Sequence, residues 1–200
     1  MEILLAIGLC VLSYFLGCFS SARVLARSIK KLNIHKVGTG LADTENIYLH
    51  ISKPLGVAAA FVDTGKMVLY LLLLRCLFSH FELVGIGTNT MMFVYGFFMI
   101  LGHCLPVTHK FKGSRGMFTY IGLLIVSAFI PVQMLITLLI AGVLVVFFKQ
   151  IRFAQYFIVL FPPFLSFFWG PGRPILTLMV ITAIMMGVLN FVVSKRLGEL

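Results

Sequence analysis

The sequence predicts an all-α integral membrane protein: a polytopic bundle of about seven transmembrane helices, N-terminus outside and C-terminus cytoplasmic. Composition is the first reason. Apolar residues make up 60% of the chain and charged residues 11%, with a mean hydropathy of +1.08. A soluble domain carries about 45–50% and roughly 25%. The second reason is a succession of apolar runs of span length, about 20 residues each. The third is that Lys and Arg sort into alternate loops.

Span one is Ile3–Ala22, followed by a polar, basic stretch from Arg23 to Pro54. Span two is Leu55–Phe78, and "SHFE" makes a short turn into span three, Leu83–Pro106. The apolar run Met117–Phe148 is too long for one span across a hydrocarbon core of about 30 Å. Pro131 near its middle divides it into spans four and five. Span six is Phe153–Trp169, "GPGRP" turns the chain, and span seven is Ile175–Val193. The chain reads as a single transmembrane domain, residues 1–200, with cytoplasmic motif loops near 23–54, 108–116, 149–152 and 194–200. The first 22 residues lack a basic leading region and an A-x-A site, so span one is expected to be retained.

The net charge is +10. One set of loops holds Arg23, Arg27, Lys30, Lys31, Lys36 and Lys53, then Lys110, Lys112 and Arg115, then Lys149 and Arg152, then Lys195 and Arg196. The opposite set holds Arg173, since Lys66 and Arg75 fall within span two. The positive-inside rule makes the basic side cytoplasmic, and termini on opposite faces require an odd number of spans. These basic residues hug the bilayer, which fits membrane lipid as a partner and excludes nucleic acid. Cys10, Cys18, Cys76 and Cys104 form no C-x-x-C pair, so neither a disulfide framework nor a metal site is indicated.

Three places concentrate chemistry. In "VGTGLADTENIYLH", Gly38 and Gly40 flank Thr39, a pattern that serves either a plain turn or an anion-binding nest of N–H groups. Asn46 adds a polar contact, whereas Asp43 and Glu45 repel an anion unless basic neighbours offset them. In "FKGSRG", Lys112, Ser114 and Arg115 sit beside Gly113 and Gly116 just before span four. A helix N-terminus with free N–H groups favours phosphate, and a guanidinium can grip it bidentately; a basic topology loop satisfies the same pattern. Asp63 and Lys66 lie three residues apart inside span two, where each charge costs roughly 2.5–3.5 kcal/mol. They form either an internal ion pair that fixes packing or the wall of a polar cleft. His103, near the end of span three, is a packing residue or a base.

In this order, "YFLGCFSS", "VGTGLADTEN", "FVDTGK" and "LGHCLPVTHKFKGSRGMFT" resemble the motifs of the bacterial acyl-phosphate-dependent glycerol-3-phosphate acyltransferases of the PlsY type. The resemblance implies seven spans in the bacterial cytoplasmic membrane, with the active site facing the cytoplasm. It also implies transfer of a fatty acyl group from acyl phosphate to the 1-hydroxyl of sn-glycerol 3-phosphate, giving lysophosphatidic acid and phosphate. The reaction needs neither metal nor cofactor. Lys112, Arg115 and Thr39 are then expected to be catalytic, and Gly38, Gly40, Asn46, Gly113, Ser114 and Gly116 to bind phosphate. Asp63, Lys66 and His103 support them.

The chain departs from the family pattern at several positions. The family's Gly-Ser-Gly-Asn-x-Gly-Ala-Thr-Asn-x-x-Arg reads Gly38-Thr39-Gly40-Leu41-Ala42-Asp43-Thr44-Glu45-Asn46-Ile47-Tyr48-Leu49. Arg152 and Gln155 stand where the family has serines, and the family's C-terminal His-Arg-x-Asn-Ile-x-Arg-Leu reads Asn190-Phe191-Val192-Val193-Ser194-Lys195-Arg196-Leu197, without its His and Asn. Two functional classes therefore stand open: a divergent acyltransferase, and a catalytically silent homologue that acts as a membrane partner or binds lipid or phosphate.

Overall fold

The structure, a computed structural model, describes residues 2–127, 131–169 and 172–198. Its regular structure among the described residues is helical throughout: α1 (Glu2–Gly17), α2 (Ser21–Lys30), α3 (Thr44–His50), α4 (Lys53–His80), α5 (Asn89–Cys104), α6 (Met117–Ser127), α7 (Pro131–Val146), α8 (Ile151–Trp169) and α9 (Arg173–Leu197). Two 3-10 turns, Ile34–Lys36 and Val107–His109, lie in the connections.

Among the described residues, five segments are long and apolar enough to cross a membrane: Glu2–Lys30 taken across its break, Lys53–His80, Asn89–His109, Ile151–Phe168 and Arg173–Lys195. The expected spans four and five fall on α6, which ends at Ser127, and α7, which begins at Pro131, and neither is among the five long segments. With 11 and 16 residues, these helices are about 16 and 24 Å long, short of a core of about 30 Å. Residues 128–130 between them, and the Gly170-Pro171 part of the "GPGRP" turn, lie outside the described residues.

The polar, basic stretch from 23 to 54 contains two short helices. Ser20 caps α2, its Oγ accepting from the Arg23 amide at 3.2 Å. Asp43 caps α3 in the same way, accepting from the Asn46 amide at 2.8 Å. Each cap satisfies a donor that a helix start otherwise leaves open. Ala22 and Ala26 of α2, Ile34, Ala42, Ile47 of α3 and Ala59 of α4 then form a small core of their own. The polar segment is thus a folded cap on the end of α4.

The main core runs through the bundle from Met67 and Leu71 on α4 to Met99 and Ile100 on α5, Leu123 and Leu124 on α6, and Met186 on α9. α1 packs along α5, α4 along α6, and α7 along α8. The α1–α5 crossing is close because Gly17 and Gly102 face it. A side chain at Gly17 would strike the Met99 carbonyl, and one at Gly102 the Tyr14 carbonyl. Small residues at such crossings let helix backbones approach where water supplies no driving force. Tyr14 fastens the same crossing, donating to the Leu105 carbonyl at 2.7 Å and accepting from the Val107 amide at 3.1 Å.

Candidate functional site

Asn46 organises the first glycine loop. Its side-chain amide donates to the carbonyls of Val37 at 3.0 Å and Leu41 at 2.9 Å, with a longer contact to Ile34 at 3.4 Å. Its Oδ1 accepts from the Thr39 amide at 3.1 Å. The side chain is fully buried. Gly38 and Gly40 take φ of +54° and +72°, a region that glycine enters without steric cost. At Gly38 a side chain would also overlap Asn46 and the His50 ring. Asn46, expected among the phosphate contacts, is therefore engaged with the chain's own backbone and braces the loop. Thr39 is drawn into the same brace, its hydroxyl near the Leu41 amide at 3.4 Å.

The second loop meets the first through one backbone bond, Ala42 N–H to Gly113 O at 3.3 Å. Ser20 adds a bond to the Ala42 carbonyl at 3.2 Å, and Ser21 reaches the Ala59 carbonyl on α4 at 3.3 Å. Gly113 has no room for a side chain, since the carbonyls of His103 and Cys104 lie against it. Ser114 N–H donates to the His103 carbonyl at 3.1 Å, and Ser114 Oγ accepts from the Gly116 amide at 3.0 Å. The two glycine loops are thus one connected unit. Several of the groups expected to hold phosphate, including the Gly116 N–H and the Ser114 hydroxyl oxygen, are engaged within it.

Inside α4, Asp63 and Lys66 do face the bundle. Asp63 is 2% exposed, and Lys66 Nζ lies 2.9 Å from its Oδ1. His103 of α5 approaches Asp63 Oδ2 with Nε2 at 3.5 Å, and its Nδ1 lies 3.1 Å from Lys66 Nζ. The tautomer with the proton on Nε2 satisfies both contacts: Nε2–H turns to the carboxylate, and Nδ1 accepts from the ammonium. Lys66 also donates to the Phe19 carbonyl at 2.8 Å, which the break between α1 and α2 presents. One charge-balanced cluster ties three segments of the bundle together.

Glu45 is the centre of a second charged cluster. A single oxygen, Oε2, accepts from Arg115 Nη1 at 2.7 Å, Arg152 Nη1 at 2.9 Å and Gln155 Nε2 at 2.8 Å. Asp43 Oδ2 stands 3.5 Å from the same Arg115 nitrogen. Burial pushes the Asp43 carboxyl above its ordinary range, and the nearby Arg115 guanidinium opposes that rise. Arg115 itself is buried.

These clusters share a narrow cleft of about 30 Å³, lined by Glu45, Asp63, His103, Ser114, Arg115 and Gln155 among others. Met117 and Phe118, the first residues of α6, also line it. Of the residues expected to act, the cleft brings together Arg115, Ser114, Gly116, Asp63 and His103. Lys66 reaches it through its contacts to Asp63 and His103. Gly38, Thr39, Gly40, Asn46, Lys112 and Gly113 are not among its lining residues, and Lys112 is exposed. The clamp of Arg152 and Gln155 on Glu45 was not anticipated, although their spacing of three on the first turn of α8 puts them on one face. Among the described residues no group of His, Cys, Asp and Glu is arranged to hold a metal ion.

Comparison with known proteins bears on the family and the fold. The family model for glycerol-3-phosphate acyltransferase matches residues 7–196. A glycerol-3-phosphate acyltransferase of Mycoplasma mycoides is 30% identical over 116 residues, 58% of this chain and 44% of the relative. One of Staphylococcus aureus is 28% identical over 154 residues, covering 76% and 74%. The chain spans about half the length of the mycoplasma and ureaplasma relatives it matches, 44% and 54%. Its fold is similar to that of PlsY, an integral membrane glycerol 3-phosphate acyltransferase, in a crystal structure of the glycerol 3-phosphate form. The TM-score is 0.77 at 22% identity, over 96% of this chain and 88% of that one. A second structure of PlsY, in the lysophosphatidic acid form, gives the same TM-score at 21% identity, over 97% and 92%. With motifs, helix order and family model in agreement, this chain belongs to the glycerol-3-phosphate acyltransferase family.

Proposed function

We propose that this chain transfers a fatty acyl group from acyl phosphate to the 1-hydroxyl of sn-glycerol 3-phosphate, forming lysophosphatidic acid and inorganic phosphate. The observation that carries this reading is the shared cleft, in which Arg115 and the start of α6 meet the Asp63–His103 pair. Acyl phosphate is already activated, so no nucleophilic side chain is required. Holding the hydroxyl against the acyl carbon and stabilising charge on the departing phosphate supply the acceleration. Arg115 and the α6 N-terminus serve the phosphate, with the α6 dipole favouring negative charge. Asp63, Lys66 and His103 hold the floor of the cleft in place. Lys112, on the exposed rim of the same loop, draws anionic substrate toward it.

In the bilayer, α6 and α7 together with the five long segments make seven spans. The basic loops and the cleft face the cytoplasm, where soluble glycerol phosphate is available, and the acyl tail enters from the lipid. The sorting of Lys and Arg between loops supports this orientation. The convergence of Glu45, Arg115 and Arg152 from three basic connections at one end of the bundle supports it too. The bacterial cytoplasmic membrane is the compartment this implies.

A second reading, a catalytically silent homologue that binds lipid or phosphate, draws on the engagement of Arg115 by Glu45. Phosphate release from palmitoyl phosphate by purified protein separates the two. Release that depends on added glycerol 3-phosphate is the expected result. No release above the protein-free rate would overturn the acyltransferase reading in favour of the silent one.

A further inference from the structure

We propose that Glu45 is a built-in competitor for phosphate, its carboxylate occupying the seat that substrate phosphate must take. The inference rests on the cleft being the phosphate site and adds how entry to it is controlled. Three donors from two separate elements, Arg115 before α6 and Arg152 and Gln155 on α8, converge on one oxygen of Glu45. Their distances, 2.7, 2.9 and 2.8 Å, are those of charge-assisted bonds to an anionic oxygen. Arg152 also orients Gln155 toward that point, donating to its Oε1 at 3.3 Å.

Two guanidinium groups and an amide around one oxygen would serve a phosphate oxygen equally well. Glu45 comes from the α3 side of the cleft and is largely buried, with 13% of its side chain exposed. While it stays, it balances much of the positive charge and fills the oxygen position. A phosphate entering the cleft must displace it. Asp43, 3.5 Å from Arg115 on the same loop, adds a second negative charge against a dianion. A displaced Glu45 moves its charge toward the exposed edge of the cleft, so binding is weaker than the donor set alone would give. Glu45 thereby sets how much phosphate the site demands before it fills.

The test is calorimetric titration of inorganic phosphate into the full chain in detergent at fixed salt, for wild type, Glu45→Gln and Glu45→Ala. Removing the competing charge should tighten phosphate binding in Glu45→Gln by about tenfold or more, the factor set by one charge-assisted bond. The gain should vanish in Glu45→Gln/Arg115→Ala, which locates it at this seat. Acetate should compete with phosphate in Glu45→Ala and leave wild type unaffected, a result that a purely structural ion pair would not produce. Measurable binding by wild type with equal or weaker binding by both single variants would overturn the competitor and leave the phosphate cleft standing. No phosphate binding by any of the proteins would overturn both.

Discussion

Lys66 on α4 and His103 on α5 meet at 3.1 Å, Nζ to Nδ1, while both face the carboxylate of Asp63. This contact joins two helices and closes a small charge cycle in the interior of the bundle. Removing Asp63 leaves the Lys66 ammonium in the bundle without its carboxylate. Asp63→Ala should therefore destabilise the protein by about 3–5 kcal/mol, the usual cost of breaking a buried pair. Asp63→Ala/Lys66→Met should cost less than the two single changes added together. Thermal unfolding in detergent for the four proteins of this cycle measures the coupling. Strict additivity would mean that the pair does not act as a unit.

Asn46 should matter through the loop it braces. Asn46→Ala removes the donors to Val37 and Leu41 and the acceptor for the Thr39 amide. At about 0.5–1.5 kcal/mol for each bond, the loss is expected to reach about 2–3 kcal/mol. Hydrogen exchange at the Thr39 amide should accelerate in the variant. Unchanged exchange there would show that the loop holds its shape without Asn46.

Asp43 gives a pH signature. Its carboxyl is pushed above its ordinary range by burial, with Arg115 opposing, so the fold favours the protonated form. That contribution is fully present below the unfolded value of about 3.9 and is lost as pH rises through the raised folded value. Asp43→Asn keeps an N-cap acceptor and removes the charge. Its stability relative to wild type should therefore rise as pH climbs above about 4, through the raised folded value. Asp43→Ala, which loses the cap, should instead cost about 1 kcal/mol. A stability difference between Asp43→Asn and wild type that does not change with pH would contradict this assignment.

Orientation can be tested at two exposed positions, Lys112 and Arg173. In a background without Cys76, the exposed native thiol, cysteines at 112 and 173 should be labelled from opposite faces of sealed vesicles by a membrane-impermeant maleimide. Position 112 should react from the cytoplasmic side. Labelling of both from one side would reverse the assignment of the loops.

The fold was largely legible in the sequence because lipid removes alternatives. Apolar length marks the five long segments. The inward placement of Asp63 and Lys66 followed from the cost of charge in the bilayer. What length and hydropathy did not reveal was α2 and α3, two short capped helices in a polar stretch. Their folding depends on the alanine-rich satellite core, whose partners are brought together only by tertiary packing. The roles of Asn46 and Glu45 were hidden for a related reason. An amide near glycines reads as a ligand contact until its backbone partners are in place. Glu45 reads in the sequence as a charge that repels phosphate, and the donor-lined seat it fills comes into view only when Arg152 and Gln155 arrive from a helix more than a hundred residues away.

The most direct test of acyl transfer follows the labelled acyl group by mass spectrometry. Purified protein is incubated with carbon-13-labelled palmitoyl phosphate and sn-glycerol 3-phosphate, and the lipid products are analysed. The account predicts labelled 1-palmitoyl lysophosphatidic acid, with less of it from Arg115→Ala. Labelled palmitic acid without lysophosphatidic acid, or recovery of the acyl phosphate unchanged, would contradict it.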